Sequence, residues 1–207
     1  LTSAKQIRLA ADGGPALTPT TLNPRSQGAT GASTVQPTEA ENALLFAAAQ
    51  GRRVMELAYD AAGSGYRPNV VDVSILAPHL FTESGIRRLA LTRSPEPVLW
   101  VLREDGVLLS MTYVAEQQVF AWAQHETDGV IEDIAVVPSV LRDELYVIVE
   151  RREGLHRFIE KYVARNADTL SAEAAYVDSF LTGSTSTGTL RGLRHLAGEE
   201  VQIVGIV

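Results

Sequence analysis

Residues 98–113 read VLWVLREDGVLLSMTY, two apolar runs separated by the pair Asp105-Gly106. An Asp-Gly pair between such runs is a strong signal of a β-hairpin, because its tight turn needs positive φ angles that glycine adopts freely. The stretch therefore predicts two antiparallel strands at 98–103 and 107–113. Alternate residues of the second strand would share one face. These are Val107, Leu109, Met111 and Tyr113.

Short apolar runs closed by turn residues recur through residues 44–163, which is typical of an all-β protein. They predict further strands at 44–48, 54–59, 86–92, 119–123, 131–137, 145–150 and 157–163. Glycines mark turns between several of these strands. They are Gly51, Gly129 after Asp128, and Gly154.

Four other segments receive weaker predictions. Residues 73–81 predict one short helix, whose first turn the Asp72 carboxylate would cap. Residues 164–175 are rich in alanine and polar residues and predict a second helix or a loop. Residues 182–189 predict a polar loop, and residues 201–204 predict a final strand.

The strands form an internal repeat. Ile86 precedes Ile131 by 45 residues, and Trp100 precedes Tyr146 by 46 residues. Phe46 occupies the position of these two aromatic residues in an earlier copy. Each unit then holds four strands, and a four-stranded unit with this period is typical of a β-propeller blade. The alternative is an antiparallel sandwich whose hairpins resemble one another by chance.

The predicted fold class is therefore mainly β, with antiparallel four-stranded, propeller-like blades and a small additional β segment at the C-terminus. Residues 1–40 form a loop-rich N-terminal segment with short strands, although residues 12–40 also fit a flexible linker. Residues 41–165 form the blade region. Residues 166–207 form a linker and the start of a second small β domain. Both ends look cut, so we expect a fragment of a longer protein.

Composition excludes several classes of function. The 207 residues carry a net charge of −7, which disfavours a protein that coats nucleic acid. The chain has no cysteine, so disulfides, thiolate zinc sites and thiol catalysis are excluded. No apolar run approaches about 18 residues, so no membrane span is predicted.

The sequence predicts no catalytic, cofactor-binding or metal-binding residue. The four histidines are not spaced as metal ligands. They are His79, His125, His156 and His195. We expect His125, Glu126 and Asp128 to form a solvated turn rather than a cation loop. The Ser-rich stretch 183–188 is not the strand-to-helix elbow of a hydrolase.

Charged and aromatic residues also favour structural roles. Adjacent carboxylates point to opposite faces of a strand, so they do not form a ready acid–base pair. These pairs are Glu132/Asp133, Asp143/Glu144 and Glu199/Glu200. The arginine doublets 52–53, 87–88 and 151–152 predict a charged rim that blunts sheet edges, or else a surface for subunits or carbohydrate. Five aromatic residues are predicted to anchor the core. They are Trp100, Tyr113, Trp122, Tyr146 and Phe158.

Several motifs occur in an order that resembles one family. They span Asp72–Leu80, Val98–Gly129, Glu150–Glu160 and Val177–Val201, so the resemblance covers about residues 44–204. The pattern is similar to the tail nozzle proteins of short-tailed bacteriophages, also called tail tubular protein B or phage stabilisation proteins. One departure is that residues 201–205 lack the Asp-Gly pair expected after this strand.

The resemblance implies a structural protein of the virion tail that acts in tail assembly and in DNA passage during ejection, without catalysis or cofactor. It implies a ring of propeller-containing subunits, made in the cytoplasm of a bacterium that carries the phage or prophage. The implied partners are other copies of the chain, the tail adaptor and the tail fibre proteins, with no sequence-specific nucleic acid. The alternative is a tail-associated module whose loops 12–40 and 182–189 contact host glycan or tail fibres. Scattered carboxylates also leave a tail-associated hydrolase open.

Overall fold

The computed structural model describes residues 1–11, 17–60, 67–151, 156–163 and 179–180. Within these ranges the chain is mainly β, with two short 3-10 helices at Pro78–Phe81 and Ala115–Gln117. The strands are β1 (Gln6–Ala11), β2 (Leu22–Gly28), β3 (Thr38–Ala40), β4 (Ala43–Ala47), β5 (Val54–Asp60), β6 (Arg67–Asp72), β7 (Ile86–Thr92), β8 (Val98–Arg103), β9 (Leu108–Val114), β10 (Val119–His125), β11 (Val130–Val137), β12 (Glu144–Arg151) and β13 (His156–Lys161).

The described strands form four antiparallel sheets that follow one another along the chain. The first sheet contains β1 and β2, and the second contains β3, β4, β5 and β6 in spatial order. The third contains β7, β8, β9 and β10, and the fourth contains β11, β12 and β13. Each sheet is a meander, since every strand pairs with the next one in sequence. The predicted four-stranded units therefore exist as sheets two and three.

The sequence located most of these strands. Strands β7 and β8 have the predicted bounds, and the ends of the other predicted strands differ by at most two residues. Strand β6 was not predicted, because its residues Pro68 and Asn69 disfavour a strand. It lies at the edge of its sheet, where proline is tolerated. Strands β1, β2 and β3 lie within residues 1–40, for which the sequence indicated short strands without locating them.

The helix predicted at 73–81 is wrong over most of its length. Residues 73–76 form a turn, and only Pro78–Phe81 is helical, as a single 3-10 turn. Asp72 nevertheless accepts hydrogen bonds from the Ser74 backbone N–H at 2.9 Å and from its hydroxyl at 2.6 Å. The carboxylate therefore caps a turn rather than a helix. The predicted elements at 164–175, 182–189 and 201–204 lie outside the described residues.

The sheets stack face to face, and the third sheet lies between the second and the fourth. On β8, Leu99 and Val101 belong to a core shared with the second sheet, whereas Trp100 and Leu102 belong to a core shared with the fourth. The strand is thus apolar on both faces, as expected for a sheet covered on both sides. Leu109, Met111 and Tyr113 share the first of these cores, with Val107 packed against it, which confirms the predicted alternation of β9.

The first strands of successive sheets run beside one another, since β7 contacts both β3 and β11. We call the side of a sheet that looks toward the next sheet its forward face, and the opposite side its backward face. Trp100 and Leu102 thus lie on the forward face of the third sheet. Leu99 and Val101 lie on its backward face.

Strands β1 and β2 of the first sheet correspond to the third and fourth strands of a four-stranded sheet. The turn before β1 is closed by a hydrogen bond from the Thr2 N–H to the Lys5 carbonyl, as Arg103 and Val107 close the turn before β9. Gln6 of β1 then matches Leu108 of β9, and both are buried. Leu9 matches Met111 by the same register. Strand β2 lies beside β6, the fourth strand of the second sheet.

The repeat itself needs one correction. Tyr146 does match Trp100, because β7 and β11 carry equivalent β-bulges, between Ile86 and Arg88 and between Ile131 and Asp133. Phe46 does not match Trp100. Ala48 and Arg103 each donate the backbone N–H that closes the turn of their hairpin, so these two residues are equivalent and Phe46 corresponds to Val101, on a backward face. The alignment of aromatic residues in the sequence misses this, because the turn after β4 is one residue longer than the turn after β8.

Candidate functional site: the seams between the sheets

A repeated main-chain contact joins each sheet to the one before it. In each case a residue at or just before the first strand of a sheet donates its backbone N–H to a carbonyl in a turn of the previous sheet. The three turns lie before β1, between β4 and β5, and between β8 and β9. The bonds run from Ala32 to Thr2 at 2.8 Å, from Ile86 to Gly51 at 2.7 Å, and from Ile131 to Gly106 at 3.3 Å. We call these three contacts the seams. They set the spacing of the stack without using any side chain.

Glycines provide the acceptor carbonyl in two of the three seams. Gly51 has φ +68° and Gly106 has φ +84°, in the left-handed region that other residues adopt only at a cost. A Cβ on Gly106 would overlap the Val130 side chain and lie 3.2 Å from the Ile131 carbonyl oxygen. A Cβ on Gly51 would meet only one atom, the Ile86 nitrogen, at 4.0 Å. The next sheet therefore packs directly on the turn at Gly106.

Arg103 fixes the turn that contains Gly106. Its guanidinium is buried, donates to the Leu80 carbonyl at 2.8 Å, and pairs with the Asp105 carboxylate through both Nε and Nη2. Partial burial of Asp105 opposes its ionisation, yet the hydrogen bonds and charge of Arg103 and a backbone N–H hold its pKa below the usual value. The sequence identified the turn but not this arginine, because nothing in a β-strand pattern marks a buried guanidinium.

A buried hydrogen bond joins the second sheet to the third. The Tyr113 hydroxyl donates to Glu56 Oε2 at 2.9 Å, and both residues are buried. Desolvation first, and then the hydrogen bond to the Glu56 carboxylate and its charge, raise the pKa of the Tyr113 phenol well above its usual value. Tyr113 is therefore a core anchor, as predicted. The signal for Glu56 in the sequence is a lone carboxylate at an inward position of the apolar run of β5.

An aromatic cluster closes the outer part of the space between the third and fourth sheets. The rings of Trp100, His125 and Tyr162 lie with centroids 4.9–5.4 Å apart. His125 Nε2 is 2.8 Å from Ser110 Oγ, and Trp100 Nε1 donates to the Thr92 hydroxyl at 3.2 Å. The predicted solvated turn is thus wrong for His125, which is half-buried at the end of β10, although Glu126 and Asp128 are exposed.

The contact between Ser110 and His125 has the geometry of a nucleophile and its base. The Tyr162 hydroxyl lies 3.4 Å from His125 Nδ1, where an orienting group would stand. The pair, however, lies between packed sheets beside the buried Trp100, and a nucleophile needs access to substrate. We therefore assign these residues to packing.

The adjacent carboxylates that fall within the described residues are engaged in ion pairs or hydrogen bonds. Glu132 pairs with Arg157 at 2.8 Å, and the hydrogen bond from Arg157 lowers the pKa of the Glu132 carboxyl. Asp133 pairs with Arg88. Asp143 accepts the Arg93 backbone N–H at 2.6 Å. Pairs that point to different partners do not form an acid–base dyad. Glu199/Glu200 lies outside the described residues.

Glu144 forms a second ion pair on the fourth sheet. It accepts Lys161 Nζ at 2.6 Å and the Tyr146 hydroxyl at 2.9 Å. These two hydrogen bonds, that of Lys161 first, lower the pKa of the Glu144 carboxyl. Arg157 also bonds Glu150 directly across β12 and β13. Arg157 is thus shared by two carboxylates, whereas Lys161 pairs with Glu144.

The arginine doublets contribute contacts within the chain as well as a charged rim. Arg52, next to the Gly51 turn, donates to the Thr82 carbonyl at 2.8 Å. Arg88 of the third sheet pairs with Asp133 of the fourth, and these two residues are equivalent bulge positions 45 residues apart. Arg151 binds Glu160 through two nitrogens and also the Asp128 carbonyl. Arg152 lies outside the described residues.

The other histidines and the Ser-rich stretch considered in the sequence do not come together in a site within the described residues. His79 is exposed on the 3-10 helix, and the His156 ring lies 6.0 Å from that of Phe158. His195 and the stretch 183–188 fall outside the described residues. In the part of the chain that the structure describes, no three potential metal ligands cluster.

An open cleft lies between the Val73–Phe81 segment and β10. It has a volume of about 400 Å³ and is lined by apolar and aromatic groups together with His79 and Gln124. Trp122 borders it, donates Nε1 to the Val73 carbonyl at 2.9 Å, and packs edge-on against Phe81 at 5.0 Å. Its other apolar lining residues are Leu76, Ala77, Leu80, Phe120 and Ala123.

Apolar residues are also exposed at both ends of the stack. The backward face of the first sheet carries Ile7, Leu9 and Leu22, all exposed. The forward face of the fourth sheet carries Ile148 and Ile159, both exposed, together with the half-buried Tyr146. Tyr146 is thus not the core anchor that the sequence predicted. We call these two surfaces the backward end face and the forward end face.

Comparison with known proteins adds no identification. The chain matches no protein-family model, and no curated protein is significantly similar to it. Among the described residues, none of the helices has the length and apolarity that crossing a membrane requires.

Proposed function

We propose that this chain is a structural component of a bacteriophage virion tail, of the nozzle type, that acts in tail assembly and DNA passage without catalysis. The stacked sheets would be blades of a β-propeller. The propeller would be closed by flanking sequence or by other chains. The full-length protein would form a ring with other copies of itself and would contact the tail adaptor and the tail fibre proteins. We place the protein in the virion tail after synthesis in the bacterial cytoplasm.

The observation that carries this proposal is the seam repeated three times along one chain. Each seam is a main-chain hydrogen bond between sheets whose apolar faces pack together, so its chemistry is that of stacking and not of substrate turnover. The series of sequence motifs that resembles the nozzle proteins supports the same function. The net charge of −7 also favours a surface along which DNA slides rather than binds.

The test is the composition of phage particles. Particles purified from a lysate of the bacterium whose phage or prophage encodes the chain would be analysed by mass spectrometry and by labelling with an antibody against residues 86–163. We expect peptides of the chain in the particles and label at the tail. Particles that retain complete tails without the chain would refute the proposal.

A second candidate is a tail-associated module that binds host glycan or tail fibres. The open cleft beside Trp122 favours it, since an aromatic ring flanked by His79 and Gln124 offers a stacking surface with polar groups. A glycan array probed with the chain and with Trp122→Ala would test it. Binding that the substitution abolishes would support the module, and the absence of binding together with a negative pull-down of tail fibres would exclude it.

A further inference from the structure

Strand β10 forms the outer edge of the third sheet and lacks the features that usually protect such an edge. Among the described strands it pairs only with β9. Natural sheet edges are blunted by lysine and other charges, by proline or by a β-bulge. Residues 119–125 contain no lysine, arginine, carboxylate or proline, and all seven pair with β9 in continuous register. Strand β10 therefore presents a regular row of main-chain donors and acceptors at this edge.

The edges formed by β6 and β13 are protected in the usual ways. Strand β6 contains Pro68 between charged first and last residues, and β2 lies beside it. Strand β13 carries Arg157, Glu160 and Lys161. A further strand therefore meets fewer obstacles at β10 than at these two edges.

The ladder of the third sheet shows which main-chain groups of β10 point outward. The Arg103 N–H donates to the Val107 carbonyl, and the Tyr113 N–H donates to the Pro97 carbonyl, so the odd-numbered residues of β9 face β8. Successive residues of a strand direct these groups to opposite sides, so the even-numbered residues of β9 face β10. Their partners are the odd-numbered residues 119–125. The N–H and C=O groups of Phe120, Trp122 and Gln124 therefore point to the open edge.

The side chains of these same three residues line the open cleft described above. Its other wall is the segment 76–80, in which Leu76 is 88% exposed. Neighbouring strands lie about 4.8 Å apart, and residues directly opposite each other point to the same face. Every second side chain of a strand added at this edge would therefore lie over the cleft, whose lining is mostly apolar.

Acidic residues stand at both ends of β10. Glu116 lies in the 3-10 helix just before the strand, and Glu126 follows its last residue; both are exposed. Residues 115–130 include Asp128 as well but no lysine or arginine. Arg151, which contacts the Asp128 carbonyl, is already paired with Glu160. The charge around this edge therefore favours a ligand with basic ends.

We propose that β10 binds an extended segment of a partner protein, which adds a fifth strand to the third sheet. The segment has an apolar side chain at every second position and basic residues at its ends. Its main chain pairs with the outward groups of Phe120, Trp122 and Gln124, and its apolar side chains enter the cleft. This inference goes beyond the proposed function and does not rest on it.

A second copy of β10 fits this edge less well than such a segment. Two paired copies of β10, in either orientation, bring acidic strand ends beside acidic strand ends. Like charges opposite each other destabilise a pair of strands, whereas opposite charges stabilise it. A basic partner segment therefore matches the edge better than the chain itself does.

The test uses short peptides, blocked at both ends, in which an apolar residue alternates with threonine and a lysine stands at each end. The apolar residue is valine, leucine or phenylalanine in different peptides. Fluorescence anisotropy of the labelled peptides measures their binding to the whole chain. We expect binding by this set, and loss of binding when every second amide, on the pairing side, is N-methylated. Methylation removes the hydrogen-bond donors and keeps every side chain.

Amide exchange measured by NMR locates the contact. The peptide should slow exchange at Phe120, Trp122 and Gln124, whose N–H groups point outward. It should leave Ala121 and Ala123 nearly unchanged, because their N–H groups are already bonded to β9. Exchange that changes only at side-chain neighbours of the cleft would overturn pairing at the edge.

Gln124→Pro tests the edge in the protein. Proline at this position removes an outward donor and keeps the ladder with β9, so the peptide should bind at least about tenfold more weakly. Gln124→Ala retains the N–H and should bind like wild type. Urea unfolding shows whether both variants keep the fold.

A charge exchange tests the ends without altering the strand. Glu116→Lys together with Glu126→Lys should reverse the preference, so that a peptide with terminal glutamates binds more tightly than one with terminal lysines. An unchanged preference would contradict the choice of a basic partner. This variant also keeps the proposal testable if Gln124→Pro fails to fold.

Failure of every peptide to bind, or binding that survives N-methylation or a folded Gln124→Pro, would overturn the proposal. Self-association of the chain through β10 that the peptides do not displace would assign the edge to a second copy and overturn it as well. None of these results bears on whether the chain is present in phage particles. Absence of the chain from particles would likewise leave peptide binding at β10 standing, so the two inferences can fail separately.

Discussion

At the scale of single residues, the two seam glycines differ in what surrounds them. Both need a left-handed backbone, which costs other residues about 1–2 kcal/mol. Only at Gly106 does the next sheet leave no room for a Cβ, because Val130 and Ile131 lie against it. A glycine is therefore required at 106 by conformation and by packing, and at 51 by conformation alone.

We predict that Gly106→Ala lowers the free energy of unfolding by clearly more than Gly51→Ala. Gly51→Ala should cost only the backbone term of about 1–2 kcal/mol. Gly106→Ala should add the cost of displacing β11 from the turn. Urea unfolding followed by tryptophan fluorescence measures both. Equal losses would mean that β11 does not press on this turn.

A second residue-scale prediction concerns the buried pair Tyr113–Glu56. The folded pKa of Tyr113 is raised, so the folded state keeps the phenol neutral where the unfolded chain, with a pKa near 10, ionises. The stabilisation by this group is therefore fully present below about pH 10 and is lost as the pH rises through and above that value.

Tyr113→Phe should lower stability at neutral pH by about 1–3 kcal/mol, because it leaves the Glu56 carboxylate buried without its donor. Urea unfolding between neutral and strongly alkaline pH should show a steeper loss of stability in wild type than in Tyr113→Phe. Glu56→Gln retains an acceptor oxygen and serves as the milder control. Parallel pH profiles of wild type and Tyr113→Phe would contradict the assignment.

At the scale of elements, the positions of the strands could be predicted from the sequence, but the face of the sheet on which each side chain lies could be predicted only in part. Strands β7 and β8 were predicted with their observed bounds, because their apolar runs end at turn residues on both sides. Alternation also placed Leu109 and Met111 on one face. It could not show that Phe46 and Trp100 point in opposite directions along the stack, since that depends on one additional residue in a hairpin turn.

Elements at sheet edges escaped prediction for a different reason. Strand β6 pairs on one side only and tolerates Pro68, so its sequence does not look like a strand.

The apolar residues of 73–81 suggested a helix, but Pro78 restricts the residue before it and the segment instead wraps over Trp122. The seams were beyond sequence reasoning, because they join main-chain atoms far apart in the chain.

The packing of the fourth sheet on the third should depend strongly on one side chain. Trp100→Ala removes a buried ring between these sheets and should cost about 3–5 kcal/mol. Trp122→Ala, at a half-exposed position of the same sheet, should cost less. Limited proteolysis is expected to cut Trp100→Ala first within β11–β13. Cleavage that begins instead in the second sheet would contradict this packing order.

At the scale of the whole molecule, the net charge argues against recognition of nucleic acid. The chain carries 25 acidic and 18 basic residues. Many of the arginines in the described part of the chain are engaged by carboxylates or carbonyls. Binding to duplex DNA depends on cations that displace the counterions of phosphates, so a chain of this charge lacks the main source of affinity.

We predict no measurable binding of the chain to duplex DNA at physiological salt. Fluorescence anisotropy of a labelled duplex measures this, with a charge-reversed surface variant, Glu116→Lys together with Glu126→Lys, as a comparison that should bind no less than wild type. Salt-sensitive binding by wild type would contradict the proposal that DNA passes along this protein without binding to it. It would favour a function in nucleic-acid recognition instead.

The seams have a consequence for how the molecule comes apart. Every bonded contact of this kind links a sheet only to its immediate neighbour, so the stack behaves as a one-dimensional array with nearest-neighbour coupling. Each of the two interior sheets has two neighbours and each terminal sheet has one. Opening should thus begin as fraying from the ends, and amide exchange should be slowest in the central strands of the interior sheets, β4, β5, β8 and β9, and fastest in β1, β2 and β13. Each added sheet would then convert a fraying end into an interior one, which makes growth of the array self-reinforcing until it closes on itself.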